Sequence, residues 1–487
     1  MPSPAPRRVN LAVVPPPGGE TASWIISRRL LKASLWCTFT LGASFGAANL
    51  LTIHLALGPV PPAHNWVHAS FQVIGFVLMF VVGLAYQVIP RSLGVPLAGT
   101  GRARATLPLL LAGLLLRMYG QFGPLLPGTP AALLGGGVAI LAGIAAFASV
   151  LVATWRTAPP GAPTAGRAGI ALGTSWWLLA GVLLVAEGAR AVALGDADRG
   201  ARYNEAFYTA GLIGGAMTWI QGMFRRIGGA TFGLAPADTE SLTFALVVWQ
   251  LGAAATTLGA CLPVGRAADQ VFDVGLLGLA AATVMFVWGS RALSPAGRPP
   301  SSRPEQPPHL VPPPVQRAVR LAFVAALLFA ALAAVHAASD LMGRVPSRLI
   351  WDGARHALAL GCITPLVLGL GSFIVPRLAG VPLRRTGWRS AGLVLIGVGL
   401  LGRECELLAS LFSWPGALWI SGPSGLVAAT GVILAGGAIL GVLRARPQSD
   451  RGQHREVGKQ QRGEGRRAEQ KPVGQASGRP VPVGPDV

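Results

Sequence analysis

Seven histidines punctuate a sequence in which ionisable residues are scarce, and five of them, His54, His64, His68, His336 and His356, fall at corresponding ends of long apolar segments. A neutral imidazole is a good nitrogen ligand for a transition metal, and in or near hydrocarbon it costs free energy unless it is paired or ligating. His68 and His356 stand apart, because they precede two copies of one motif, seven and five residues ahead of the equivalent glycines Gly75 and Gly361. Two imidazoles approaching from facing helices are a means by which a helix bundle holds a haem iron on both faces. A helix-contact role, with each ring bonded to a backbone carbonyl, stays open for the same two residues. His54, His64 and His336 are weaker metal-ligand candidates, for which an interfacial, solvated place is the competing reading. His309, in a proline-rich stretch, and His454, in a polar tail, lie apart from them.

Arg117 and Arg403 are the second pair of candidates. They occupy equivalent places in the third and eleventh apolar segments, where a guanidinium needs a partner or a water-filled cavity. Carboxylates of a bound cofactor, such as haem propionates, would match the planar fork. The structural alternative pairs Arg403 with Glu406 and Glu187 with Arg190 along their own helices. Arg117 has no acid nearby in sequence.

The elements that position these residues follow from composition. The chain has 487 residues, 52% of them hydrophobic and 12% charged, about half the charged share of a soluble domain. Apolar runs long enough to span a bilayer lie at 31–57, 65–89, 105–126, 131–155, 169–194, 204–226, 240–263, 271–293, 316–338, 349–376, 388–413 and 418–443. The expected fold is therefore all-α, a polytopic membrane protein of about twelve helices, since hydrocarbon leaves the backbone no other partners. A soluble enzyme, a nucleic-acid-binding protein and a secreted disulfide scaffold are excluded. The net charge of +21 reads as topology, because arginines gather in alternate loops. That asymmetry places both termini in the cytoplasm and the histidines at the outer side. A basic segment (1–30), a transmembrane domain (31–443) and a disordered charged tail (444–487) are the expected parts, and the lipid bilayer is the evident partner. Cys37, Cys261, Cys362 and Cys405 are scattered singly, with no CxxC or CxxCH, so neither a disulfide framework nor covalent haem is expected.

The chain also repeats itself. GFVLMFVVGLAYQVIPRSLGVPL (75–97) lies over GCITPLVLGLGSFIVPRLAGVPL (361–383) at a constant offset of 286, which also carries Arg117 onto Arg403. A weaker copy, FYTAGLIGGAMTWIQGMFRRIGG (207–229), lies between them. Three units of four helices around an axis along the membrane normal would give this pattern.

Twelve segments, a threefold quasi-repeat and histidines near the outer ends of the second and tenth resemble the catalytic-subunit fold of haem-copper oxidases. A closer resemblance is to the NnrS family, membrane proteins associated with nitric oxide and denitrification and described as binding haem and copper. The family's HAHExxxGF motif is similar to His68-Ala69-Ser70-Phe71-Gln72-Val73-Ile74-Gly75-Phe76. Its HALxxGxI motif is similar to His356-Ala357-Leu358-Ala359-Leu360-Gly361-Cys362-Ile363, and its LLxR to Leu115-Leu116-Arg117. The resemblance implies non-covalent, b-type haem on His68 and His356, with Arg117 and Arg403 beside it. It also implies a bacterial inner-membrane location and a small gaseous ligand such as nitric oxide; it assigns no redox partner.

The departures are specific. Ser70 and Phe71 replace the second histidine and the glutamate of the first motif, which removes donors for copper. The sixth and seventh segments carry no histidine, whereas a haem-copper oxidase builds its copper site there, so a full oxidase reaction is not expected. Two other classes compete: a transporter or permease whose repeats are alternating-access units, and a haem-dependent nitric oxide or oxygen oxidoreductase.

Overall fold

In so apolar a chain every backbone N–H and C=O needs a partner close at hand, and a helix supplies one within the segment. The computed structural model describes residues 21–122, 126–162, 166–195, 201–232, 237–294, 311–344, 348–412 and 414–445, and every regular element among them is helical. The helices are α1 (22–54), α2 (62–93), α3 (Thr100–Phe122), α4 (Thr129–Arg156), α5 (Arg167–Leu194), α6 (201–232), α7 (Thr239–Cys261), α8 (Arg266–Ser290), α9 (Pro313–Leu341), α10 (Arg348–Ala379), α11 (Thr386–Phe412) and α12 (Leu418–Arg444). Among the described residues nine helices, all but α1, α6 and α11, are long and apolar enough to cross a membrane.

Each helix overlaps one apolar run of the sequence, but α1 begins earlier than expected. The Thr21 hydroxyl accepts from the Trp24 backbone N–H at 3.3 Å and caps the helix at Ala22. Arg28 and Arg29 therefore stand on α1 and not on a polar arm. At the other end Arg444 closes α12, and the tail from 446 onward lies outside the described residues.

Successive helices pack side by side: α3 on α4, α4 on α5, α7 on α8, α8 on α9 and α11 on α12, with α12 returning onto α1. The helices that carry the motif copies lie inside. The apolar windows of α2 and α10 are 78% buried, against 39% for α3, and the whole segment Thr209–Met217 of α6 is buried. Phe244, Val247, Leu251 and Leu258 form an exposed stripe on α7, as do Val394, Val398 and Leu401 on α11. Apolar side chains at this helical spacing, turned away from the core, suit contact with hydrocarbon.

Among the described residues four helices contain a stretch of wider π-helical winding: Thr38–Gly42 in α1, Phe71–Leu78 in α2, Thr209–Met217 in α6 and Ala357–Ile363 in α10. Such turns displace the ladder of backbone hydrogen bonds and re-aim side chains, which is why they concentrate at functional sites. Phe71 and Ala357 stand at the same offset of 286, just ahead of the matched segments, and they follow His68 and His356 closely. The π stretch of α6 touches those of both α2 and α10.

Candidate functional site

His68 and His356 are held in the same way. In α1 the π stretch ends at Gly42, whose backbone leaves helical geometry (ψ −105°), and its carbonyl accepts from His68 Nδ1 at 2.8 Å. In α10 His356 Nδ1 donates to the Asp352 carbonyl one turn back, also at 2.8 Å. A carbonyl only accepts, so Nδ1 carries the proton in both rings and the Nε2 lone pair is left to act as a donor toward a Lewis acid. Metal-ligating histidines have this outer-shell arrangement. Both rings are part-buried, and His68 lies within the electrostatic reach of His356, Asp352 and Arg403. Gly46 makes room for the arrangement: a Cβ there would stand 2.2 Å from His68 Cε1, so the imidazole rests against the backbone of α1.

Around the histidines runs a chain of paired charges joining four helices. His54 Nε2 (α1) meets the Glu406 carboxylate (α11), and Arg403 forks between Glu406 and Asp352. Asp352 also accepts from Arg355 at 3.0 Å. Arg355 reaches Glu205 (α6) at 2.8 Å, and the Trp351 indole N–H donates to the same carboxylate at 2.9 Å. Ser421 of α12 donates to Glu406 at 3.3 Å. Charges withdrawn from water persist only when paired in this manner. Glu404 is the exception: both of its carboxylate oxygens are buried without a hydrogen-bond donor, pressed against Gly353 of α10.

The remaining candidates divide. His336 belongs to the same neighbourhood, its ring 6.2 Å from Trp351 and within the field of Glu205 and Arg355; its Nδ1 is buried without a partner. His54 is taken up by Glu406. His64 packs between the rings of Phe45 and Phe122, each 5.2 Å away. Arg403 has its i+3 partner Glu406, as its spacing suggests, and gains Asp352 from α10.

Arg117 corrects an expectation. It is fully buried, and it is not short of an acid: Nη1 donates to Glu187 of α5 at 2.8 Å and Nη2 to Asn204 of α6 at 3.2 Å. Asn204 in turn donates to Glu187 at 2.9 Å, closing a triad of three helices. Glu187 is thus not paired with Arg190, whose guanidinium lies over the Tyr203 ring at 5.8 Å. Sequence reasoning missed Glu205, Asp352, Arg355 and Asn204. Their signal was present, since acids among the apolar segments gather at the same helix ends as the histidines.

Among the described residues no three of His, Cys, Asp and Glu gather into a group able to hold a metal ion by themselves. Two open clefts lie at the opposite ends of the helices, away from the histidines.

No protein-family model matches the chain, and no curated protein matches it in sequence. Its fold is similar to that of a heme-copper terminal oxidase dimer solved by cryo-EM, with a TM-score of 0.66 over 88% of this chain and 86% of that one. At 11% identity the likeness is one of fold. The chain is a multi-pass, all-helical membrane protein of haem-copper oxidase-like fold.

Proposed function

We propose that the chain is a haem-binding membrane protein that uses an oxidase-like scaffold without an oxidase's copper centre, and that it handles nitric oxide in the manner of the NnrS family. The observation that carries this reading is the matched pair His68 and His356, each tied through Nδ1 to a backbone carbonyl and each presenting Nε2. Two nitrogen donors cannot complete a tetrahedral zinc site. They would suit a metal already held in a macrocycle, as in haem; the scattered cysteines offer no covalent attachment, and a non-covalent, b-type haem is the form we propose. When bound, the group would supply reversible electron and gas-ligand chemistry. The protein's own part is to hold both rings in one tautomer, to surround them with a chain of paired charges at Asp352, Arg355 and Arg403, and to exclude water with the apolar π stretches. Arg403 borders this site, whereas Arg117 supports it from the α3–α5–α6 junction. The histidine-free α6 and α7 remove copper chemistry from the proposal, and with it oxygen reduction.

The scaffold reading is twelve membrane-spanning helices in three units of four, both termini in the cytoplasm of a bacterial inner membrane. The exposed apolar stripe of α11 supports counting that helix as a span, the equivalent π starts of α2 and α10 support the repeat, and the arginine asymmetry supports the orientation. A pyridine haemochrome assay on purified protein tests the cofactor. Stoichiometric haem with a low-spin spectrum lost in both His68→Ala and His356→Ala is expected; protein that folds without haem after expression with excess haem precursor would overturn the reading. Nitric oxide binding to the reduced form then separates a gas-handling role from electron transfer alone.

A further inference from the structure

At the end of the bundle opposite the histidines, the last turns of α10 meet the first turns of α9 and α11 around an open cleft of about 390 Å³. Its chemistry is one-sided. Arg377 and Arg389 line it and no carboxylate does. Arg389 is only 6% exposed, and its Nε is buried without a hydrogen-bond partner. A guanidinium so far removed from water, with no acid among the described residues that line the cleft, is an incomplete arrangement. Arg377, by contrast, is exposed, stacks on Phe373 at 3.4 Å and donates to the Phe373 carbonyl at 3.0 Å, which fixes its guanidinium at the rim. Thr386 begins α11 and Pro312 precedes α9, so two helix N-termini add their positive dipole ends to the same space. Pro376 and the Phe373 ring make the rest of the wall apolar.

We propose that this cleft binds the phosphate of an anionic phospholipid, with Arg389 as its buried partner and Arg377 closing over it. Phosphate is the anion whose oxygens match a guanidinium fork and helix N-termini together. The apolar wall favours a lipid over free phosphate, since glycerol and the first acyl carbons would follow Phe373 and Pro376 toward the hydrocarbon. The arginine asymmetry puts this end at the cytoplasmic leaflet, where anionic lipids are concentrated. A second cleft of about 320 Å³, lined by Arg29 and Arg104, serves as an internal comparison, because both of its arginines are exposed and neither is left unpartnered inside. The proposal is independent of the haem reading.

The test uses the full chain purified in a zwitterionic detergent, with the thermal unfolding midpoint followed as phosphatidylglycerol, phosphatidylcholine or inorganic phosphate is added. Phosphatidylglycerol is expected to raise the midpoint in a saturable way, phosphatidylcholine and millimolar phosphate not. Arg389→Gln should weaken the apparent phosphatidylglycerol affinity about tenfold or more, as loss of a charged hydrogen-bond partner does, and Arg389→Lys should restore part of it. Should Arg389→Gln not fold, Arg377→Gln, which removes an exposed group, reads the same cleft. Undiminished stabilisation in these variants would overturn the proposal. So would an equal loss in Arg29→Gln/Arg104→Gln, which would show general surface charge. Stabilisation by inorganic phosphate alone would overturn the lipid as the source.

Discussion

Replacing Arg117 with leucine separates a structural lock from a cofactor contact. The substitution takes away both guanidinium bonds of the triad and leaves the Glu187 carboxylate, 2% exposed, with only the Asn204 amide at 2.9 Å. Removing one member of a buried ion pair costs about 3–5 kcal/mol. The remaining amide bond retains about 1 kcal/mol of that, so a loss of at least about 2 kcal/mol is expected. Glu187→Leu alone leaves the opposite charge stranded and should cost a similar amount. The double variant Arg117→Leu/Glu187→Leu strands neither charge and should recover most of the loss, giving a coupling energy near 2 kcal/mol or more. Buried thiols provide the assay. Cys37 and Cys362 are buried, and their reaction with a thiol-selective fluorophore on heating in detergent reports opening of the bundle against the background of the exposed Cys261. The measurement is made on haem-free protein. If Arg117→Leu unfolds at the wild-type temperature there, and a deficit appears only when haem is bound, the triad is not what holds Arg117 and the residue is a cofactor contact.

Gly46→Ala should lower haem content while both histidines remain, because the new Cβ falls 2.2 Å from the His68 ring; a wild-type haem spectrum in this variant would show that His68 does not need its seat on α1. Gly188→Ala should destabilise the bundle by about 1–3 kcal/mol, since a Cβ there would stand 2.3 Å from Leu134 Cα of α4, whereas Gly397→Ala, inside α11 and meeting nothing within 4 Å, should hold or raise the unfolding midpoint, because alanine is favoured over glycine within a helix. Glu404→Met should leave the unfolding midpoint unchanged or raise it, because a buried carboxylate without donors is replaced by an apolar side chain; a fall in midpoint would show that Glu404 has a stabilising partner.

The alternation of apolar runs with arginine, glycine and proline placed the helices, because backbone satisfaction leaves a chain of this composition one kind of element to form, and nine of those described are long and apolar enough to cross a membrane. The start of α1 escaped it, since Arg28 and Arg29 look like a polar arm until the Thr21 cap is seen. The same local logic singled out His68 and His356, whose rank came from their position against the repeat. Pairing was another matter. Arg117 and Glu187 are 70 positions apart, and His54 and Glu406 are 352 apart, so no helical spacing connects them and neighbouring residues such as Arg190 offered false partners. The π stretches were equally hidden, since no residue pattern marks them and they come into view only where those of α2, α6 and α10 meet inside the bundle. The tautomer of His68 needed the Gly42 carbonyl from another helix. Sequence thus determined the elements, because hydrophobic length and helix winding are local properties. Tertiary structure alone decided which charges meet, because a buried charge selects its partner by proximity in space.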